Sequence, residues 1–162
     1  MVYIRIKTIV DEEFQDYKKP AMMIATCKCD WKCLKEQGLD VSLCQNYELR
    51  NGKNIDISIS FIIDRYINNS ITKAIIINGL EPFLQFDEIL ELIKKFRLVS
   101  DDDIVIYTGY YPEELTKELA ILNKYKNIII KFGRYIPNRN KKYDNILGVE
   151  LISDNQFALK IS

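Results

Sequence analysis

Apolar and polar positions change period several times along the chain, and each change marks an element. Tyr3-Ile4-Arg5-Ile6-Lys7-Thr8-Ile9 alternates with a period of two, which predicts a strand at the edge of a sheet. Asp11-Glu12-Glu13-Phe14 should turn the chain. Ala21-Met22-Met23-Ile24-Ala25 is a continuous apolar run, suited to a strand covered on both faces. Residues 74–77, 104–107 and 127–132 read the same way, and Asn78-Gly79, Gly109 and Gly133 break the runs. Residues 86–96 place Ile89, Leu90, Leu92, Ile93 and Phe96 at helical spacing, with Asp87 and Glu88 favouring the first turn. Ile55, Ile59, Ile62, Ile63, Tyr66 and Ile67 share a helical face, although Ile57 and Phe61 leave a strand start open. Pro112-Glu113-Glu114 predicts a helix start, with the helix running to about Tyr125. Residues 147–161 read as one or two short strands around Asp154-Asn155.

Strands that alternate with helices predict βαβ units, hence an α/β fold with a mainly parallel sheet in one domain, residues 1–162. Ligands of such sheets bind at the carboxyl ends of the strands. Every distinctive stretch lies at such an end. Cysteines follow the first inner strand, Asn78-Gly79-Leu80-Glu81-Pro82 the second, Thr108-Gly109-Tyr110 the third and Gly133-Arg134 the fourth.

Composition narrows the chemistry. The 23 basic residues balance 23 acidic ones, so no global field draws nucleic acid or an anionic membrane. The chain has no histidine, which removes Ser-His-Asp and Cys-His catalysis and imidazole metal sites. No apolar stretch approaches the roughly 20 residues of a membrane span. The N-terminal pattern is not that of a signal peptide, so a cytoplasmic protein with reduced thiols is expected.

All four cysteines, Cys27, Cys29, Cys33 and Cys44, fall in one loop, residues 26–47. Clustered thiols in a reducing compartment bind metal or do redox work more often than they form disulfides. Structural zinc usually takes two closely spaced Cys-x-x-Cys pairs, and that spacing is absent here. Zinc on four thiols, an iron–sulfur cluster on three, and buried structural cysteines all stay open on spacing alone.

Cys29-Asp30-Trp31-Lys32-Cys33 resembles the first half of the Cys-x3-Cys-x2-Cys loop of radical S-adenosylmethionine enzymes, and Leu43-Cys44-Gln45-Asn46 resembles its end. The gap before Cys44, LKEQGLDVSL, is longer than in that loop. Asn78-Gly79-Leu80-Glu81-Pro82 is similar to the Gly-Gly-Glu-Pro segment that binds the cofactor's amino group, with Leu80 in place of the second glycine. Residues 104–115, 130–136 and 147–156 resemble the small activases of anaerobic, class III ribonucleotide reductase.

The resemblance implies a partial (βα) barrel and a 4Fe-4S cluster on Cys29, Cys33 and Cys44, with Cys27 left out. It implies cleavage of S-adenosylmethionine to a 5′-deoxyadenosyl radical that abstracts hydrogen from a glycine of a large partner enzyme. That step needs no general base, so the missing histidine costs nothing. Gly79, Glu81, Thr108 and Leu43 are the implied cofactor contacts: Glu81 for the ammonium, Thr108 for the ribose or methionyl part, Leu43 near the adenine. Lys131 could meet the cofactor's carboxylate, although a snorkelling strand lysine is the plainer reading. Trp31 would shield the cluster or face a partner, and Tyr110 and Tyr111 would be partner contacts or packed. A flavodoxin or ferredoxin is the expected reductant. The alternatives are a radical enzyme acting on a small molecule, such as a 7-carboxy-7-deazaguanine synthase, and a zinc-stabilised α/β binding module without activity.

Overall fold

Strands rich in β-branched side chains need cover on both faces, and the order of elements shows how this chain supplies it. The computed structural model describes residues 1–162. It opens with an antiparallel hairpin, β1 (Tyr3–Glu13) and β2 (Ala21–Thr26). The cysteine loop follows and holds two short helices, α1 (Lys32–Lys35) and α2 (Tyr47–Asn51), with a 3₁₀ turn at Val41–Leu43 between them. β3 (Ile55–Ser58) leaves the loop and pairs antiparallel with β1. α3 (Ile59–Ile67) starts at once, because the Ser58 hydroxyl oxygen accepts the Phe61 N–H at 3.2 Å and caps it. β4 (Ala74–Gly79), α4 (Phe86–Phe96), β5 (Asp103–Tyr107), α5 (Thr116–Leu122) and β6 (Ile128–Phe132) then alternate. β7 (Lys142–Asp144) and β8 (Val149–Leu151) form a separate hairpin, and β9 (Phe157–Lys160) pairs antiparallel with β6.

The chain is a single α/β domain whose seven-stranded sheet runs β3-β1-β2-β4-β5-β6-β9. β2, β4, β5 and β6 form its parallel centre. One face, with Ile24, Ile75, Ile77, Ile104, Ile106 and Ile130, packs against α3, α4 and α5. Ile89, Leu92, Ile93 and Phe96 of α4 are fully buried there, each worth about 1.5–3 kcal/mol of transfer free energy. The other face is covered by Tyr17 from the β1–β2 turn and by Leu147 and Leu151 of the β7–β8 segment. That cover stops short of the strands' carboxyl ends, and a cavity opens there.

Several sequence expectations change. β1 is not an edge strand: it lies between β2 and β3, and it continues to Glu13 where a turn was expected. Its residue Ile6 pairs with Thr26 on one side and with Ile55 on the other, so both ends of the cysteine loop are fixed beside one residue. Of the two readings left open from Ile55, a strand start is what forms: a short strand precedes the helix, because the Ser58 cap intervenes. The helix opened by Pro112 is a 3₁₀ turn, Pro112–Glu114, and a shorter helix that ends at Leu122. No helix is long and apolar enough to cross a membrane.

Candidate functional site

The carboxyl ends of β2, β4, β5 and β6 line a cavity of about 400 Å³. Cys29, Cys33 and Cys44 all face it, together with Gly79, Glu81, Thr108 and Lys131. Cys27 does not: its thiol donates to the carbonyl of Arg5 at 3.5 Å, and its N–H is taken by Gln85 Oε1 at 2.7 Å. All four cysteines are free thiols.

The loop's backbone arranges itself around the sulfur atoms. Trp31 adopts a left-handed conformation, φ 62°, and its N–H donates to Cys29 Sγ at 3.3 Å. Such a backbone on a tryptophan costs about 1–3 kcal/mol, so its surroundings must enforce it. The Trp31 carbonyl then accepts the N–H groups of Leu34 and Lys35 at 3.1 and 2.9 Å, which starts α1 and sets Cys33 on its first turn. The Asn46 N–H repeats the pattern at the third thiol, donating to Cys44 Sγ at 3.3 Å. The Asn46 carboxamide reaches across to the Gly79 carbonyl at 2.8 Å. Burial raises the pKa of Cys29 to about 11, against the Trp31 N–H, and burial also raises that of Cys33.

The end of β4 is equally constrained. Gly79 has φ +95°, and a Cβ there would sit 2.6 Å from the Thr26 nitrogen and 2.8 Å from the Ala25 Cα. Only glycine permits this approach of β4 to β2. Glu81 is buried, and its carboxylate accepts the Thr108 hydroxyl at 2.7 Å, the Gly109 N–H at 2.9 Å and the Phe83 N–H at 3.1 Å. Burial pushes its pKa up, and these donors pull the other way. Thr108 therefore orients Glu81, in place of a free hydroxyl at a strand end.

Lys131 is 6% exposed, so the snorkelling expectation fails. It points into the cavity from β6, with its ammonium 5.4 Å from the Tyr107 ring centroid and a long 3.4 Å contact to the Gly133 carbonyl. Burial lowers its pKa to about 8, while Glu81, Cys33 and Asp16 hold the charge in place. Leu43, expected near the adenine, is 52% exposed and lies outside the cavity lining. The 3₁₀ turn directs it outward because Asp40 caps that turn through the Ser42 N–H at 2.8 Å. Of the two readings for Tyr110 and Tyr111, packing is the one seen: the Tyr110 hydroxyl donates to Asp30, and the Asn155 amide donates to the Tyr111 hydroxyl at 2.9 Å.

Three further residues build the site: Asp16 carried no sequence signal, and Arg134 and Asn46 stood out only by their place in the chain, without a role. Arg134 is buried and binds the Gly109 carbonyl at 2.9 Å, Glu114 and Glu36. With the Lys32–Glu114 pair at 2.6 Å, it clamps α1 onto the ends of β5 and β6. Asp16 reaches the cavity from the β1–β2 turn, accepts the Asn78 amide at 3.3 Å and has its pKa raised by burial to about 6. Asn46 ties the third cysteine's segment to β4. Gly133-Arg134 stood out only as a strand end, and nothing in the spacing shows a salt bridge to Glu36, 98 positions away.

No three Cys, Asp or Glu side chains converge closely enough to hold a single metal ion. Three thiols line one cavity, and two of them receive backbone N–H groups, a donor set that fits a cluster held by three cysteines.

Comparison with known proteins supports an iron–sulfur protein. No solved structure matches the chain. A 3-dehydroquinate dehydratase of Methanococcus maripaludis (strain C7 / ATCC BAA-1331) is 25% identical over 94% of this chain and 73% of its own length. Residues 22–156, from β2 to the turn before β9, match the family described as 4Fe-4S single cluster domain. With most of its length so matched, the chain belongs to the 4Fe-4S single cluster domain family.

Proposed function

We propose that the chain is an iron–sulfur enzyme of the radical S-adenosylmethionine type, and that it installs a glycyl radical on a large partner such as an anaerobic ribonucleotide reductase. One observation carries the reading: Cys29, Cys33, Cys44, Gly79, Glu81 and Thr108 share one cavity at the ends of parallel strands. Cys29, Cys33 and Cys44 are the proposed cluster ligands, and Cys27 is not one. When bound and reduced, the cluster supplies the electron that cleaves the sulfonium bond of S-adenosylmethionine.

The protein's part is ligation, orientation and exclusion of water. Glu81, held by Thr108, Gly109 and Phe83, presents a fixed carboxylate to the cofactor's ammonium. Lys131 offers an ammonium with little else to bind, suited to the cofactor's carboxylate. Gly79 lets β4 approach β2 closely at the cavity wall. Leu43, on the outer surface, is free to meet a partner rather than the adenine.

A partner's glycine would have to reach the mouth of the cavity. About 400 Å³ lies toward the lower end of single-ligand sites, room for about one cofactor-sized molecule. Hydrogen would then come from a group presented at the mouth. A flavodoxin or ferredoxin is the proposed reductant.

Anaerobic reconstitution tests the reading directly. Brown protein with about four iron and four sulfide per chain, releasing methionine and 5′-deoxyadenosine when reduced, is expected. A glycyl-radical signal on a large reductase added to that mixture would identify the partner class. Colourless protein with one zinc per chain would overturn the proposal.

A further inference from the structure

Lys7 is a lysine of β1 that is only 9% exposed, outside the cavity, and no part of the proposed chemistry uses it. Lysine is rarely buried unless its ammonium is satisfied, and here the partners are two backbone carbonyls. Its Nζ donates to the Arg50 carbonyl at 2.7 Å and to the Gly52 carbonyl. These groups end α2, where the last carbonyls have no partner within the helix and a positive charge is favourable. A methionine would fill the same space without the cost of burying an ammonium. The two directed hydrogen bonds are what lysine adds.

The anchored residue leads back to the thiols. The Arg50 guanidinium lies 4.1 Å from the Trp31 ring centroid. That stack fixes the residue whose left-handed backbone aims an N–H at Cys29 and whose carbonyl starts the helix bearing Cys33. A continuous set of contacts therefore runs from Lys7 through Arg50 and Trp31 to two of the three cavity thiols.

We infer that Lys7 is a positioning residue of the cysteine loop: by holding the end of α2 it keeps Arg50 stacked on Trp31, which sets the exposure and orientation of the Cys29–Cys33 segment. Arg50 also places a fixed positive charge beside that segment, which favours the more negative, reduced form of a bound cluster. Only this last point rests on the proposed function.

Trp31 is the sole tryptophan, so its fluorescence reads the stack in full-length, iron-free protein. Arg50→Leu should make Trp31 more accessible to acrylamide quenching. Lys7→Met should raise quenching to the same level at unchanged far-ultraviolet circular dichroism, and Lys7→Arg should restore the wild-type value. Where Lys7→Met does not fold, Lys7→Gln, able to reach one of the two carbonyls, should give an intermediate value. Wild-type quenching in folded Lys7→Met or Lys7→Gln protein would overturn the inference, as would unaltered quenching in Arg50→Leu. In reconstituted protein the cluster's midpoint potential should become more negative in both Lys7→Met and Arg50→Leu, and an unchanged potential in both would count against it. Wild-type protein that takes up no iron would sink the proposed function, while the quenching result would still decide the role of Lys7.

Discussion

The carboxamide of Asn46 donates a 2.8 Å hydrogen bond to the carbonyl of Gly79. The bond joins the segment just after the third cavity thiol to the tight end of β4, so the long gap before Cys44 does not leave that thiol unplaced. Asn46→Ala should cost about 0.5–1.5 kcal/mol in denaturant unfolding, the usual net value of one hydrogen bond. It should also lower the iron retained per chain, measured after gel filtration of reconstituted protein.

The cysteines should divide three to one. Cys29→Ala, Cys33→Ala and Cys44→Ala should each abolish the cluster's visible absorption. Cys27→Ala should keep it, because that thiol faces the Arg5 carbonyl and lies outside the cavity lining. Iron and sulfide content in the four variants decides this.

Gly79→Ala should destabilise the fold strongly. The added Cβ would lie 2.6 Å from a backbone nitrogen, which cannot move aside cheaply, and φ +95° would strain any side chain. Together, steric overlap and strain predict a loss of about 2–5 kcal/mol, read from urea unfolding of the iron-free protein.

Lys131 should make the protein less stable for the sake of its site. Its folded pKa of about 8 lies below the ordinary 10.5, so between those values the unfolded chain holds more protons. Stability should therefore rise from pH 8 toward 10.5 in the wild type relative to Lys131→Met. Below pH 8 the burial cost is felt in full, and Lys131→Met should be the more stable protein by up to about 3 kcal/mol. The role proposed for Lys131 toward the cofactor's carboxylate predicts that the same variant binds S-adenosylmethionine more weakly than wild type in isothermal titration.

Glu114 predicts the opposite end of the pH range. The Arg134 guanidinium, with Lys32, holds its carboxyl near a pKa of about 2, below the ordinary 4.5. The stabilisation is complete above pH 4.5 and is lost as the pH falls toward 2. Wild type should lose more stability than Glu114→Gln between pH 5 and pH 2.5, measured by thermal unfolding.

Much of this arrangement is legible in the sequence. The short apolar runs that become β2, β4, β5 and β6 suit covered strands, and the glycines at or just past the ends of β4, β5 and β6 mark the side on which the cavity lies. Phe86–Phe96 matches the expected helix because its apolar spacing and acidic first turn agree. What escaped depended on partners far away in sequence. Whether β1 is an edge or an inner strand rests on β3, four residues long and more than forty positions on. The burial of Lys131 follows from the cavity walls around it, with Tyr107, Glu81, Cys33 and Asp16 among its neighbours, and its own strand pattern is silent on that. Leu43 looked like a cofactor contact from its place beside Cys44, but the Asp40-capped turn rotates it outward. Asn46 and Arg134 are common polar residues whose roles appear only when their acceptors arrive.

Ile6 pairs with Thr26 on one side and Ile55 on the other. Two strand spacings, roughly 10 Å, therefore separate the ends of everything that lies between. With both ends pinned by the sheet, lengthening the segment adds only a slowly growing entropy of closure, about 0.6 kcal/mol for a doubling. The spacing between the second and third thiols is then only weakly constrained by the free energy of closing the loop. Descendants of such a chain could gain or lose residues there while their cavities stayed the same, so cysteine spacing would be a poor ruler for recognising them.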